Sequence, residues 1–286
     1  EENSINNPNK IGIFLIFVST FITMFGVSLL SPAFPKIINY FQISEQSVGL
    51  IASLFILPGI ILALFIGGLA DKYGRKPILV FSLILYGLSG GIAAFSPTYR
   101  ILLTLRIIQG IGAAGLLTSI ITLIGDSYTG NKRAHMMGLN VTVIGLGTAL
   151  APLIGGILAE ISWTTPFLLF FTAIIVGLLV QKFLKEPKTN KNNTNIKKYS
   201  KQVIELFKHK NTLIGMTFGI LSFSFLFGGV ITYLPILLDT KFSTSSTIIG
   251  AFTSIEALIL AIVSSQAGKI VSRINIMKIM KISRGN

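Results

Sequence analysis

The sequence predicts an all-α integral membrane protein, and three observations support this fold class. The hydrophobic fraction is 51%, the mean hydropathy is +0.76, and only 12% of the 286 residues are charged. A soluble globular domain carries about 25% charged residues, so a soluble core could not bury this much apolar surface. The apolar residues also form unbroken stretches of helical length, without the alternation that is typical of a transmembrane barrel.

Several stretches reach the roughly 20 mostly apolar residues that a membrane-spanning helix needs. They lie at residues 11–33, 48–69, 77–95, 100–125, 135–159, 164–184, 212–238 and 245–267. The first has no small-residue cleavage site behind a short apolar region, so we expect a retained helix rather than a signal peptide.

The loop charges predict an orientation. Most of the 24 Lys and Arg residues fall in alternate loops, which places them on one side of the membrane. The other side holds only Lys36, Arg100 and Lys241, while Arg106 lies within a span. Because cytoplasmic loops carry the excess of Lys and Arg, we expect a multi-pass protein whose N-terminus is cytoplasmic.

Other functional classes find little support in the composition. The net charge of +14 could suggest a nucleic-acid partner, but the cations lie between apolar runs, so no such partner is expected. The chain has no Cys, and His135 and His209 are isolated, so no metal site is expected. A phosphate-binding glycine loop and a convergent nucleophile–base pair are both absent from the sequence, so we predict neither ATP-driven transport nor an enzyme.

The segment 185–210 differs from the rest of the chain, because it is polar and rich in Lys and Asn. We interpret it as a cytoplasmic basic linker. It divides the chain into an N-terminal six-helix bundle at 1–184 and a partial bundle of two helices with a basic tail at 211–286.

An internal repeat supports this division. A shift of 200 residues aligns Pro35 with Pro235, each expected to end an apolar helix, and Gly68 with Gly268. Secondary transporters are often built from such repeated halves. We therefore expect the chain to lack the last four helices of a twelve-helix protein, with a deliberate eight-helix protein as the alternative.

The loop after the second span combines glycines, one acid and several cations. Glycines allow a sharp turn and a close approach of helices, and Asp71 can pair with Arg75, so the cluster could act as an electrostatic latch. A plain basic turn is the alternative, but it explains the cations only. This inner gating loop comprises Gly67, Asp71, Gly74, Arg75 and Lys76, with Asp126 from the end of the fourth span.

Two charges lie inside spans, where they are costly. Arg106 lies about 9 Å into the fourth span, and it either serves a function or extends back to the surface. Glu256 lies near the middle of the eighth span, one helical turn from Thr253. A carboxyl group there suits proton carriage or recognition of a cationic substrate, with a neutral packing role as the alternative. Glu160 and Asp239 are expected to be solvated acids of the outer loops, on the side of the membrane opposite the cytoplasm.

The fifth span contains a proline among small residues, namely Gly147, Pro152, Gly155 and Gly156. Proline removes a helical hydrogen bond, and glycine permits close packing. We therefore expect a hinge or a leak seal, with ordinary small-residue packing as the alternative.

Four motifs together resemble a known family. The loop from Gly67 to Lys76 resembles the signature loop of the major facilitator superfamily. In the twelve-helix drug:proton antiporters of that superfamily, three further motifs are similar to segments here. They are the first-helix motif with Gly26, Pro32 and Pro35, the fourth-helix motif with Arg106, Gln109 and Gly110, and the fifth-helix motif named above, in which Ala151 replaces the usual glycine.

The resemblance implies a major facilitator fold, with a complete first bundle and the first two helices of the second. It also implies a bacterial plasma-membrane antiporter that uses the proton gradient and no cofactor to export hydrophobic or cationic drugs by alternating access. Arg106 would take part in proton transfer, whereas Glu256 is covered by no family motif. Partners would be membrane lipid, protons and a small-molecule substrate. A sugar or metabolite transporter, or an inactive truncated remnant, are the alternatives.

Overall fold

A computed structural model describes residues 9–186, 213–215, 217–219, 221 and 225–273, and this part of the chain is helical and contains no strand. The helices are α1 (Lys10–Phe41), α2 (Glu45–Tyr73), α3 (Arg75–Phe95), α4 (Tyr99–Ser127), α5 (Gly130–Ile161), α6 (Thr165–Phe183), α7 (a π-helical stretch Phe225–Tyr233 that continues as the α-helix Leu234–Phe242) and α8 (Ser246–Arg273). Their order follows that of the apolar stretches.

Among the described residues, five helices are long and apolar enough to cross a membrane, namely α1, α3, α4, α5 and α6. These five correspond to the spans expected at 11–33, 77–95, 100–125, 135–159 and 164–184. The apolar stretches found among the described residues of α2 and α8 are Glu45–Gly59 and Ser246–Leu260. The remaining expected spans stay predictions. Most of the linker, from residue 187 onward, lies outside the described residues.

Helices extend beyond the apolar stretches because polar residues cap them. The side chains of Asn9, Ser44 and Thr98 accept hydrogen bonds from the first-turn amides of α1, α2 and α4. Such caps satisfy amides that have no partner within the helix. Hydropathy alone therefore placed these helix starts too late, and Asp71 lies in the last turn of α2 rather than in a loop.

The prolines of the repeat begin helical segments instead of ending them, which corrects the expectation. Pro35 lies in the first turn of the segment Phe34–Phe41, and Pro235 lies in the first turn of Leu234–Phe242. Proline is tolerated there because the first-turn amides have no helical acceptor. Both segments end in a left-handed residue, Gln42 with φ 52° and Ser243 with φ 49°. The repeat is therefore visible in backbone conformation.

The six N-terminal helices enclose a shared apolar core, and α8 packs along α5. At this crossing a Cβ added to Gly156 would overlap the Ser246 carbonyl, and one added to Gly250 would overlap the Pro152 carbonyl. The helices approach this closely because both carry small residues at the contact. Facing outward, large apolar side chains such as Phe14, Phe81 and Leu178 are exposed, as a surface against lipid requires.

This crossing predicts different responses to two alanine substitutions in α5. Gly156→Ala should lower the stability of the purified protein by about 1–3 kcal/mol, because the new methyl group must displace α8. Gly145→Ala is the matched control, because no described atom lies within 4 Å of its added Cβ. It should be neutral or stabilise α5 by up to about 1 kcal/mol. Thermal unfolding in detergent measures both, and equal effects would contradict the close crossing.

Candidate transport site and its gating elements

A cavity of about 40 Å³ lies where α1, α5, α7 and α8 meet. Its lining includes Ser28, Thr148, Pro152, Thr253 and Glu256. Drug-sized ligands occupy pockets of about 300–1,000 Å³, so in this conformation the cavity accommodates waters rather than a drug.

The cavity brings together residues that the sequence placed in separate spans. Glu256 and Thr253 both line it, as one helical turn on a shared face requires. Pro152 of the fifth-helix motif lines the same cavity. No ion pair within the described residues involves Glu256. The cavity therefore offers one carboxyl group among hydroxyl and apolar side chains.

The small residues of α5 contact two different helices. A Cβ added to Gly155 would overlap the Leu29 carbonyl of α1, and Gly147 lies against Met24 of the same helix. Gly156 instead faces α8. Helix α5 runs unbroken through Pro152. Helix α5 therefore packs closely against α1 on one side and against α8 of the second set of helices (α7 and α8) on another.

The packing of α5 loosens toward its other end. A Cβ added to Gly138 or Gly145 would have no described atom within 4 Å, in contrast to Gly156 near the end of the helix. At the tight end, the Ser31 hydroxyl of α1 donates a hydrogen bond of 2.7 Å to the Ile231 carbonyl of α7. Among the described residues, the two sets of helices are thus held together at the end that bears Lys36.

Arg106 is fully buried and does not extend back to the surface. Its Nε donates to the Ile51 carbonyl at 3.1 Å, and its Nη2 donates to the Gly26 carbonyl at 2.6 Å. Its guanidinium carbon lies 4.3 Å from the centre of the Phe55 ring. The first-helix motif thus supplies an acceptor to the fourth-helix motif. Glycine is needed at position 26, because a Cβ there would overlap the Phe55 ring.

Gln109 is the side-chain partner of Arg106. Its Oε1 accepts a hydrogen bond of 2.5 Å from Nη1 of Arg106, three residues earlier on the same face of α4. In the described part of the chain, Arg106 makes no ion pair with a carboxylate. Its charge is therefore stabilised by neutral carbonyl and amide oxygens and by an aromatic face. Pro32 is buried in a 3₁₀ turn of α1 and does not contribute to this set of hydrogen bonds.

We expect Arg106→Lys to destabilise the protein although the charge is retained. Lysine has a single nitrogen and cannot reach carbonyls on two helices and Gln109 together. Each lost charge-assisted hydrogen bond contributes about 1.5–3 kcal/mol. Arg100→Lys, an exposed change at the start of the same helix, should change stability by less than about 0.5 kcal/mol. Thermal unfolding that ranks the two variants equally would refute the role assigned to Arg106.

The inner gating loop is a charge cluster centred on Arg75. The Nη2 atom of Arg75 donates to Oδ1 of Asp71 at 2.8 Å, and its Nε atom lies 2.8 Å from Oδ2 of Asp126. The second pair is a charge contact that lacks the alignment of a hydrogen bond. Asp126 thus occupies the position expected from the sequence, and the cluster joins α2, α3 and α4.

Only one glycine of the loop makes the turn. Gly74 separates α2 from α3 with φ 102°, a conformation that residues with a side chain rarely adopt. Gly67 lies within α2, and a Cβ added there would have no described atom within 4 Å. The close approach of helices that was expected at Gly67 is therefore not made within the described residues.

Glu186 belongs to this cluster, although no pattern in the sequence selects it. Its Oε1 accepts hydrogen bonds from the backbone amides of Arg75 at 2.5 Å and Lys76 at 3.3 Å. A carboxylate is favoured at the N-terminus of a helix, and here it caps α3. Glu186, three residues after the end of α6, thus fastens the start of the linker to the gating loop.

Glu186→Ala should destabilise the protein by about 1–2 kcal/mol, because it removes a helix cap. It should also speed tryptic cleavage of the Arg75–Lys76 bond, since the amides of both residues lose the group that holds them. Lys185→Ala is the control, because Lys185 is exposed beside Glu186. Equal cleavage rates in the two variants would contradict the cap.

A family model described as Major Facilitator Superfamily matches residues 16–285. The chain belongs to the major facilitator superfamily. This assignment makes it a multi-pass membrane protein of a transporter family. The four motifs that suggested the superfamily from sequence lie on α1, α2–α3, α4 and α5.

Relatives in this superfamily include named exporters and resistance proteins. The chain is 30% identical to the bacillibactin exporter of Bacillus subtilis (strain 168), across 85% of this chain and 63% of the relative. It is 27% identical to multidrug resistance protein 1 of the same organism, across 86% and 66%. It is 36% identical to the class H tetracycline resistance protein of Pasteurella multocida, across 59% and 42%. The chain thus spans less than two thirds of the length of these relatives.

Solved structures of the superfamily share the fold. A bacterial homologue of the human lysosomal transporter Spinster, in an inward-facing conformation, matches with a TM-score of 0.76 at 19% identity. The match covers 92% of this chain and 62% of that structure. A D-xylose–proton symporter matches with a TM-score of 0.64 at 18% identity, across 91% and 68%. At these identities the likeness concerns the fold alone.

Proposed function

We propose that the chain belongs to a proton-coupled exporter of drugs or other small organic compounds that works by alternating access. The observation that carries this proposal is the cavity in which Glu256 faces the fifth-helix motif. It lies between the first set of helices and α7 and α8, where a central transport site requires contributions from both halves. The exporters and resistance proteins among the relatives support an organic substrate that leaves the cell.

Glu256 is the proposed proton carrier. Ionised carboxyl groups are costly within a membrane, so a partly buried Glu256 favours its neutral form until it releases the proton to water and a cation compensates the carboxylate. An organic cation that reaches the cavity would thus compete with the proton. Arg106 is proposed to assist from a distance, by holding α1 and α2 in place while the cavity changes shape.

The orientation is part of the proposal. Loop charge favours a cytoplasmic N-terminus, which would place the tight end at Lys36 on the outer side of the bacterial plasma membrane. The conformation described above would then be closed to the outside. Helices α1 to α6 would move as one bundle against α7 and α8.

Substitution of Glu256 by glutamine tests the coupling. Inverted membrane vesicles that contain the chain should accumulate ethidium, a hydrophobic organic cation, when a proton gradient is imposed, and a protonophore should abolish this accumulation. Glu256→Gln should lower the gradient-driven rate by about tenfold or more, because an amide cannot bind and release a proton. Glu45→Gln removes an exposed acid at the start of α2 and should leave the rate unchanged.

Three outcomes would contradict the proposal in different ways. Ethidium accumulation that is unchanged by the protonophore would exclude proton coupling. Gradient-driven uptake of a sugar without movement of ethidium would favour a metabolite transporter. Absence of any transport by a chain that inserts normally would favour an inactive remnant.

A further inference from the structure

Two residues that the sequence assigned to solvent contact each other at the tight end of the bundle. Lys36 and Glu160 lie 3.7 Å apart, with 38% and 40% of their side chains exposed. An exposed pair of this kind contributes little by itself. The backbone groups that the two side chains bind give the contact its importance.

Lys36 binds the end of α5. Its Nζ donates to the Ala159 carbonyl at 2.8 Å and to the Glu160 carbonyl at 3.1 Å. These carbonyls lie in the last turn of α5, where no helical amide remains to satisfy them. A cation is also favoured at this end of a helix dipole.

Glu160 binds the start of α8. Its Oε1 accepts a hydrogen bond of 3.2 Å from the backbone amide of Thr247, the second residue of that helix. Anions are favoured at a helix N-terminus. The cation of Lys36 therefore lies at a helix C-terminus and the anion of Glu160 at a helix N-terminus, so each helix dipole favours the charge beside it. The two charges also attract each other.

The contact of Glu160 crosses between the two sets of helices, whereas that of Lys36 does not. Rings of Tyr40 and Phe41 lie 4.9 and 5.2 Å from the ring of Trp163, and this packing fixes the end of α1 against the turn after α5. If the bundles separate at this end, Lys36 and Glu160 stay together and Thr247 moves away.

We propose that Lys36 and Glu160 form a gate clamp, in which Glu160 holds α8 closed and Lys36 positions Glu160. This inference rests on the proposed alternating access, because it identifies the contact that must break when the Lys36 end opens. The close packing of Gly156 against α8 shapes the same interface, and the clamp adds a charge-dependent hydrogen bond at its rim.

The chain contains no Cys, so a single introduced thiol reports opening directly. Ser28→Cys places that thiol in the cavity. In sealed vesicles, a membrane-impermeant maleimide is added to the face that bears Lys36, and the labelling rate is measured. Added Glu160→Ala should raise this rate by roughly three- to tenfold, since a charged helix cap is lost. Lys36→Met should raise it less, because the hydrogen bond to Thr247 remains.

Exchange of the two charges separates the clamp from a simple ion pair. The double variant K36E/E160K restores an attractive pair, but it places an anion against the carbonyls of α5 and a cation against the amide of Thr247. The clamp predicts labelling at least as fast as in Glu160→Ala. Labelling as slow as in the parent chain would overturn the clamp, because a simple ion pair would then suffice.

Glu45→Ala removes an exposed acid elsewhere at the same end, and its labelling should match the parent. The clamp is overturned if Glu160→Ala labels no faster than Glu45→Ala. If Glu160→Ala does not reach the membrane, Glu160→Gln replaces it in the test. The labelling rate of Glu160→Gln should rise about twofold, because only the charge of the cap is lost. Labelling requires no substrate. If Glu160→Ala leaves the labelling rate unchanged while the parent chain transports ethidium, only the clamp is refuted. Absent transport with the expected labelling refutes only the proposed function.

Discussion

The buried charge of Arg106 is the constraint on which the first bundle depends. A guanidinium group cannot lie unpaired in a membrane interior, so each helix around it must present an acceptor. The carbonyls of Gly26 and Ile51 meet this need. A carbonyl in a helix can accept this bond only if the side chains around it leave room, which explains the glycine at position 26 against the Phe55 ring. The first, second and fourth helices are therefore fixed together where Gly26, Ile51 and Arg106 meet.

A bundle fixed in this way can act as a rigid body. The gating loop adds a second point of fixation, at the end where α2 turns into α3, through Arg75, its two aspartates and Glu186. The two sites share α2 and α4 but serve different needs. Arg106 satisfies a charge in the interior, while the loop holds together the ends of helices and the start of the linker.

The contacts between the two sets of helices are of another kind. Close backbone approach at Gly156 and Gly250 requires no side chain to rearrange, and a few hydrogen bonds such as that of Ser31 to Ile231 supplement it. Contacts of this type can separate and re-form at modest cost, in contrast to the buried hydrogen bonds around Arg106. Rigid bundles with a separable interface are the physical requirement for alternating access, and Glu256 lies at that interface.

The sequence by itself determined the membrane class, the order of the helices and the family, because hydropathy and short motifs are local properties of the chain. It also selected Arg106, Asp126 and Glu256, since an ionisable residue in or beside an apolar stretch stands out without any knowledge of the fold. Its errors were local too, because caps such as Ser44 and first-turn prolines such as Pro35 moved the helix ends.

The tertiary structure alone decided the partners. In the sequence Glu186 and Glu160 resemble ordinary exposed acids. Their sequence neighbours do not indicate that each caps a helix from another part of the chain. The packing of Gly156 against Gly250 and the shared cavity of Glu256 and Pro152 are likewise set by which helices become neighbours. Such contacts join residues some 90 to 110 positions apart, and their energies depend on distances that no local pattern of residues encodes.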